Sequence, residues 1–203
     1  MTNIFGIIGA GNIGKAVAKQ LIKAGYQVVI SNSRGIYSLT DTIKELGPLA
    51  TAGTIEDSAK QDIVILALPW AALPTTLPAL TGWNNRIVVD ASNAFISFEP
   101  DWQVADLGNR ASSEVVAEMV PGARLVKAFN TLDFKTLGKD PKETYGQRIL
   151  FISGDDSDAK KDVGTAIKKM GFALIDLGTL AIGGKLQQAK GPIASHNMVL
   201  VKS

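Results

Sequence analysis

Short runs of apolar, mostly β-branched residues recur along the chain, and helical patterns lie between them. The runs occupy residues 4–8, 27–30, 63–68, 87–90, 125–129, 149–153 and 174–177. They do not alternate apolar with polar residues, which is typical of strands that are buried on both faces of a parallel sheet. We therefore predict an α/β fold in which a doubly wound, mostly parallel sheet carries helices on both faces.

Helix signals between the runs support this strand–helix alternation. Apolar residues recur every four positions over residues 13–21, directly after the first run. Ser38 and Asp41 resemble a capping box, which predicts that a second helix begins there. Helical patterns also cover residues 112–120 and 155–170, and the latter has acids in its first turn and lysines in its last.

Helical spacing returns at the C-terminal end of the sequence. Apolar and small side chains recur at Leu186, Ala189, Ile193, Asn197 and Leu200. We interpret this stripe as a helix that packs on the sheet or on a second subunit. The predicted organisation is a main domain over residues 1–180, followed by a helical tail over residues 181–203.

Three glycines with the spacing of a dinucleotide-binding turn follow the first run. The segment Gly9-Ala10-Gly11-Asn12-Ile13-Gly14 ends a predicted strand and opens a predicted helix. The first glycine permits the tight turn, the second lets a pyrophosphate approach the backbone, and the third lets the helix pack close to the strand. The N-terminus of the helix presents free N–H groups to the phosphates. This context predicts a Rossmann-like dinucleotide-binding domain over residues 1–180.

The end of the second run indicates which dinucleotide the domain prefers. A carboxylate at this position would accept hydrogen bonds from the ribose hydroxyls of NAD, but the sequence has Ser31, Asn32, Ser33 and Arg34 instead. A guanidinium with neighbouring hydroxyls donates to phosphate oxygens. We therefore predict that Ser33 and Arg34 hold the 2′-phosphate of NADP(H), with Asn32 as a further donor.

Composition excludes several other classes of function. The chain has no cysteine, which excludes disulfides, thiolate metal sites and cysteine nucleophiles. Its 21 Lys and Arg residues nearly balance its 19 Asp and Glu residues and do not cluster, so nothing supports a nucleic-acid partner. Residues 63–85 carry no charge, but Pro69, Pro74 and Pro78 interrupt them. We expect a buried strand, a loop and a short helix there rather than a membrane span, and a cytoplasmic protein.

Residues that could donate a proton to a carbonyl substrate are scarce. His196, the one histidine, has no partner with triad or metal-ligand spacing, and the chain has no Tyr-x-x-x-Lys pair. Lys127 and Asn130 are the remaining candidates to assist. A flavin-like acceptor needs less acid–base chemistry, because hydride passes from ring to ring once the two rings are stacked. We therefore predict no catalytic acid or base, and no metal site.

The motifs together resemble the NADPH-dependent reductases of the deazaflavin coenzyme F420. The chain is also similar to the reductase domain of the six-transmembrane metalloreductases. The resemblance covers nearly the whole length and rests on GIIGAGNIGKAVAKQLIKAG, NSR, LPW, SSEVVAEMVPGARLVKAFNTL, ISGDDSDAKKDV and DLGTL. Of these, PGARLVKAFNT is the most specific, because the glycine motif is common to many dehydrogenases.

The resemblance implies positions for the cofactor and the acceptor. It places the pyrophosphate at Gly9, Gly11, Asn12, Ile13 and Gly14, and the 2′-phosphate at Ser33 and Arg34. Leu68, Pro69 and Trp70 would line the cofactor cleft. Ala128, Phe129, Asn130 and Thr131 would flank the nicotinamide and the acceptor ring, and the family implies a homodimer.

The acceptor and the catalytic role stay open at this point. Deazaflavin-using members tend to have histidine where this chain has Asn130, and their tails are richer in leucine, so coenzyme F420, FMN and FAD all remain candidates. A second hypothesis is a non-catalytic NADP(H)-binding module that senses redox state. A third is a small-molecule dehydrogenase. The predicted strands continue to Leu177, which leaves little room for the helical substrate domain of that class.

Overall fold

The computed structural model describes residues 4–80 and 82–201, and residues 1–3, 81, 202 and 203 lie outside the described residues. The strands are β1 (Ile4–Ile8), β2 (Gln27–Ser31), β3 (Ala50–Ala52), β4 (Ile63–Leu66), β5 (Ile87–Asp90), β6 (Phe95–Ser97), β7 (Gln103–Val104), β8 (Arg124–Lys127), β9 (Lys142–Glu143), β10 (Gly146–Gly154), β11 (Ala173–Asp176) and β12 (Val199–Val201). All seven apolar runs therefore form strands, as predicted.

Ten of the strands form one sheet, and eight of them follow one another in the order β11-β10-β8-β5-β4-β1-β2-β3. The six strands from β8 to β3 are parallel. The end of β10 pairs antiparallel with β8, and the beginning of β10 pairs antiparallel with β9 and β12. From β1 the chain adds β2 and β3 on one side and then returns to add β4, β5 and β8 on the other. The carboxyl ends of β1 and β4 therefore flank the point where the winding reverses, which is where ligands bind in sheets of this kind.

Helices cover both faces of the sheet. They are α1 (Asn12–Lys23), α2 (Thr40–Leu46), α3 (Ile55–Ala59), α4 (Leu73–Thr76), α5 (Ser112–Met119), α6 (Phe134–Leu137), α7 (Ser157–Lys169) and α8 (Lys185–Gln187). One core packs α1 and α7 against the sheet, and a second packs the region of α4 and α5 against the opposite face. The predicted mostly parallel sheet with helices on both faces is confirmed.

The second helix begins differently from the prediction. A 3₁₀ turn covers Ile36–Leu39, and α2 begins at Thr40 without a side-chain cap. The Ser38 hydroxyl bonds the Gly35 carbonyl and the Asn32 side chain instead. The predicted capping box is therefore wrong, because the Ser38 hydroxyl is hydrogen-bonded to Asn32 and Gly35 and caps no helix.

The C-terminal tail is helical over a few residues only. A π-helical turn at Leu180–Gly184 leads into α8, and the chain then passes through turns to β12, which pairs antiparallel with β10. The helix predicted from the spacing of Leu186 to Leu200 is wrong beyond Gln187. The reason lies in Gly191-Pro192, since the residue before proline disfavours the α conformation and proline lacks an N–H donor. The domain boundary at residue 180 stays a prediction.

Residues 63–80 have the structure expected for an uncharged stretch that does not cross a membrane. They form β4, a 3₁₀ turn at Trp70–Ala72 and the short helix α4. Within residues 4–80 and 82–201, no helix combines the length and the apolar character that a membrane span requires.

Candidate functional site

The ends of five parallel strands meet along one edge of the sheet. Four backbone hydrogen bonds link the residues there: Gly9 N to Ser31 O (3.0 Å), Ala67 N to Ile8 O (2.9 Å), Ala91 N to Leu66 O (3.1 Å) and Ala128 N to Asp90 O (3.1 Å). With neighbouring strands about 4.8 Å apart, the row from β2 to β8 is about 19 Å long. The segments predicted to bind the cofactor follow β1, β2, β4 and β8, so the fold brings all of them to this edge.

The glycine turn joins β1 to α1 at the middle of the row. Gly9 has a φ of +114°, and a Cβ there would lie 2.2 Å from the Ala67 carbonyl oxygen. A Cβ on Gly14 would lie 1.9 Å from the Gly9 carbonyl oxygen, so the helix can approach the strand only if that residue is glycine. A Cβ on Gly11 would meet nothing within 4 Å. Gly9 and Gly14 are therefore required by the fold, whereas Gly11 faces open space.

The first turn of α1 has the features of an anion site. Gly11 is the N-cap in an extended conformation, and no acid lies in the first turn. Asn12 is exposed, and Ile13 is half-buried against the main core. The free N–H groups and the positive end of the helix dipole therefore face the open space above Gly11.

The loop after β2 has a defined shape and exposed donors. Asn32 accepts the Arg34 backbone N–H at 2.9 Å and donates its amide to the Ser38 hydroxyl at 2.9 Å. Its side chain thus shapes the loop rather than pointing freely to solvent. Ser33 and Arg34 are exposed at the tip. This loop presents a cation and a hydroxyl at the β2 end of the row.

The segment after β4 lies on the other side of the glycine turn. Leu68 and Trp70 are half-buried and pack against the core on the α4 and α5 face, while Pro69 is exposed. Pro69 also begins the 3₁₀ turn at Trp70–Ala72. The three residues therefore form a firm wall beside the turn, with the exposed pyrrolidine ring as its outer surface.

The segment after β8 is buried. Ala128, Phe129, Asn130 and Thr131 all have exposed fractions of 6% or less. The Phe129 side chain belongs to the main core, and its backbone has a φ of +66°, a conformation that costs a non-glycine residue about 1–3 kcal/mol. The segment therefore forms a floor at the β8 end of the row, and its phenyl ring packs into the core.

A fully buried ion pair lies under this floor. Lys127 Nζ contacts Asp90 Oδ2 at 2.9 Å and the Ser92 carbonyl oxygen at 3.0 Å, and both charged side chains have 0% exposure. The hydroxyls of Ser92 and Ser113 donate to Asp90 at 2.6 and 2.7 Å. Burial alone would raise the pKa of Asp90, but the Lys127 ammonium and these hydrogen bonds outweigh it and hold the pKa below its ordinary value.

Two of the three candidate proton donors are hydrogen-bonded to buried groups, and the third, His196, is exposed beside Ser195, whose backbone N–H donates to the Thr131 carbonyl oxygen at 2.9 Å. Lys127 is occupied by Asp90, and the Asn130 amide is bonded to Asn93 and to the Gln187 carbonyl. His196 is exposed in the tail, with Nδ1 at 2.9 Å from the Ala194 carbonyl oxygen. Lys127 and Asn130, the candidates to assist, are thus both hydrogen-bonded to buried acceptors, and the expectation of no catalytic acid or base stays a prediction.

Three residues around the floor carry polar contacts that sequence reasoning missed. Asp90 ends β5, Asn93 follows that strand, and Gln187 ends α8. Asp90 could have been found from the sequence, because a charged residue directly follows the apolar stretch of residues 87–89. Gln187 had none, because its partners lie about 60 residues away in the sequence.

A cavity of about 340 Å³ opens at Ala94, the residue that follows Asn93 in the sequence. It is lined by Ala94, by residues 104–108, by Arg110 and by Gln188 and Ala189. The antiparallel hairpin of β6 and β7 borders it and carries Phe98 and Trp102, each 58% exposed, with ring centroids 5.7 Å apart. The volume lies within the range of small-molecule sites.

A doubly wound sheet whose first strand turns through three glycines into a helix defines the Rossmann-type fold, which is typical of dinucleotide-binding proteins. Residues 4–94, a little under half of the chain, match the family model described as NADP oxidoreductase coenzyme F420-dependent. The predicted resemblance to this family of NADP oxidoreductases is therefore confirmed.

Similar proteins extend the match over the rest of the chain. A hypothetical protein from Sinorhizobium meliloti is 43% identical, with a TM-score of 0.92 over 98% of this chain and 96% of that one. A putative F420-dependent NADP reductase from Arthrobacter sp. FB24 shares the fold at 24% identity, with a TM-score of 0.74 over 89% of this chain and 86% of that one. Metalloreductase STEAP3 from Rattus norvegicus is 26% identical over 87% of this chain. The chain spans about a third of the length of that relative.

Proposed function

We propose that the protein transfers hydride between NADP(H) and a deazaflavin or flavin acceptor. The observation that carries this proposal is the single row of strand ends, which holds the glycine turn, the cationic loop after β2 and the floor after β8. A length of about 19 Å suits an extended dinucleotide. The adenosine end would lie at β2 and the nicotinamide end at β8.

The phosphate contacts follow from the placement of the donors. The pyrophosphate would bind above Gly11, where a Cβ would meet nothing, and would be held by backbone N–H groups of Asn12 and Ile13 between the buried Gly9 and Gly14. Ser33 and Arg34 would hold the 2′-phosphate, and Asn32 would keep their loop in shape. This arrangement favours NADPH over NADH.

The nicotinamide end supports an acceptor that needs no protein acid. Pro69 and Trp70 would form one wall of the cleft, and Ala128 and Thr131 with the backbone of residues 129–130 would form the floor. The nearby Lys127 and Asn130 side chains are hydrogen-bonded to buried acceptors, so the contribution we assign to the site is to hold two rings in contact. Proton exchange of the acceptor would be left to water.

The acceptor ring has a candidate place beside the floor. The cavity at Ala94 is large enough for a planar ring system. Phe98 and Trp102 lie outside its lining, on the hairpin that borders it, and would stack on a ring that extends from the cavity. Coenzyme F420, FMN and FAD share this chemistry. The homodimer and the cytoplasmic location stay predictions.

An anaerobic assay with a panel of acceptors tests the proposal. NADPH is mixed with the protein and with oxidised coenzyme F420, FMN, FAD or riboflavin, and NADH is run beside it. We expect oxidation of NADPH that depends on one of these acceptors. Tight NADPH binding without turnover on any of them would favour the redox-sensing module instead.

A further inference from the structure

We propose that Gln187 is a positioning residue that fixes the nicotinamide floor through its buried side-chain amide. The inference rests on the proposed function and adds a residue from the C-terminal tail to it. Gln187 ends α8 and has 0% exposure. A fully buried amide is costly unless it is hydrogen-bonded, so its partners show what its burial serves.

The hydrogen bonds of Gln187 converge on the segment that leaves β8. Its amide nitrogen donates to the Lys127 carbonyl oxygen at 3.2 Å and to Asn130 Oδ1 at 3.1 Å. Its side-chain oxygen accepts the Ser153 hydroxyl at 3.2 Å, and its backbone carbonyl accepts the Asn130 amide at 2.6 Å. One residue therefore ties down both ends of the stretch from Lys127 to Asn130.

That stretch needs outside support. Phe129 lies within it with a φ of +66°, a conformation that non-glycine residues adopt only when their surroundings enforce it. Asn93 adds two more bonds to Asn130: its amide donates to the Asn130 carbonyl oxygen at 3.0 Å, and its own side-chain oxygen accepts the Asn130 amide at 3.0 Å. Removing the Gln187 side chain takes away the bonds to the Lys127 carbonyl and Asn130 Oδ1 and leaves those from Asn93 and the residue 187 backbone, so we expect Phe129 and Asn130 to shift and to move the floor.

A second buried glutamine provides a matched control. Gln20 in α1 is 2% exposed, and its amide donates to the carbonyl oxygens of Leu137 at 2.8 Å and Lys139 at 2.5 Å. These carbonyls lie in and after α6, outside the row of strand ends. Gln20→Met and Gln187→Met each keep the length of the side chain and remove two bonds donated by a buried amide, and Gln187→Met also removes the bond from the Ser153 hydroxyl; only Gln187→Met affects the floor.

The experiment compares binding and turnover in the two variants. NADPH and 2′,5′-ADP, which lacks the nicotinamide, are titrated into each protein, and kcat and KM for NADPH are measured with the acceptor that the wild type uses best. We expect Gln187→Met to lower kcat by about tenfold or more. We expect it to weaken NADPH binding while leaving 2′,5′-ADP binding unchanged. Asn93→Ala, a half-buried position, should shift both quantities in the same direction by less.

Several outcomes decide the matter. Equal losses for NADPH and 2′,5′-ADP in Gln187→Met, or a loss of kcat that Gln20→Met reproduces, overturn the positioning role. If Gln187→Met does not fold, kcat and the binding of NADPH and 2′,5′-ADP are measured in Asn93→Ala instead. Values unchanged from the wild type in that variant also overturn the positioning role. If the wild type turns over no acceptor, the proposed function fails, while the ratio of the two affinities still tests Gln187.

Discussion

Replacing Lys127 with methionine removes the counter-ion of a carboxylate that has no contact with water. Asp90 and Lys127 are both 0% exposed, and their atoms lie 2.9 Å apart. Methionine has nearly the length of lysine, so the substitution leaves little empty volume. What changes is the charge: Asp90 keeps the hydrogen bonds from Ser92 and Ser113 but loses its only cationic partner among the described contacts.

The expected cost is large for a single substitution. Breaking a buried ion pair by removing one partner destabilises a protein by about 3–5 kcal/mol, because the remaining charge is left uncompensated. For a chain of this length, each kcal/mol lowers the melting temperature by about 2–4 °C, so the shift should be about 6–20 °C. Removing both charges, with Asp90→Asn added, should cost less than Lys127→Met alone.

Urea unfolding and thermal melts measure this cost directly. Lys23→Met is the control, since the Lys23–Asp140 pair has a similar distance, 2.7 Å, but its side chains are 59% and 57% exposed. That substitution should leave stability unchanged within error. A loss below about 1 kcal/mol in Lys127→Met would refute the interpretation of the Asp90 site as a stabilising buried pair.

The pH dependence of the same variant gives an independent check. The pKa of Asp90 is lowered in the folded state, so its contribution is present above the unfolded value of about 3.9 and is lost as pH falls through the lower folded value. In Lys127→Met, burial without the ammonium raises that pKa instead. The unfolded pKa is common to both proteins, so the difference in unfolding free energy should begin to shrink as pH falls through the raised folded pKa of the variant, above about 3.9, and should go on shrinking down to the lowered folded pKa of the wild type.

Further substitutions separate the roles of the glycines, the cationic loop and the hairpin. Gly14→Ala puts a Cβ 1.9 Å from a backbone oxygen and should lower the melting temperature, whereas Gly11→Ala meets no atom within 4 Å. Gly11→Ala should keep the melting temperature but weaken NADPH binding about tenfold by calorimetry, a loss of about 1.4 kcal/mol. Arg34→Asp should weaken NADPH binding by about 1–3 kcal/mol and spare NADH; equal losses would make Arg34 part of the scaffold. Trp102→Ala should raise the KM of the ring acceptor and not of NADPH, while Tyr145→Ala, at an equally exposed aromatic, should change neither.

The sheet was predictable because its signals are local. Wholly apolar runs and a glycine turn are properties of five to ten consecutive residues, and both elements occur where they were expected. The boundary of α2 was not predictable in the same way, because Ser38 had two competing uses. The nearby Asn32 and Gly35 bind its hydroxyl, so it cannot cap the helix.

The site was predictable in its outline and not in its supporting contacts. Segments after β1, β2, β4 and β8 were named from motifs, and the parallel sheet brings them together. The side chain of Phe129 could not be placed from sequence, because a positive φ in a non-glycine residue has no sequence signature and here accompanies a ring packed into the core. Gln187 and Asn130 are 57 residues apart, and only tertiary structure shows that they share hydrogen bonds.

Transfer of deuterium from the cofactor tests the central claim most directly. The protein is mixed anaerobically with NADPH that carries two deuterium atoms at C4 of the nicotinamide, in a single turnover with oxidised coenzyme F420 or FMN. The proposed function predicts oxidation that requires the acceptor, shows a primary isotope effect and is faster with NADPH than with NADH. Bound NADPH that stays reduced with every acceptor in the panel would contradict it.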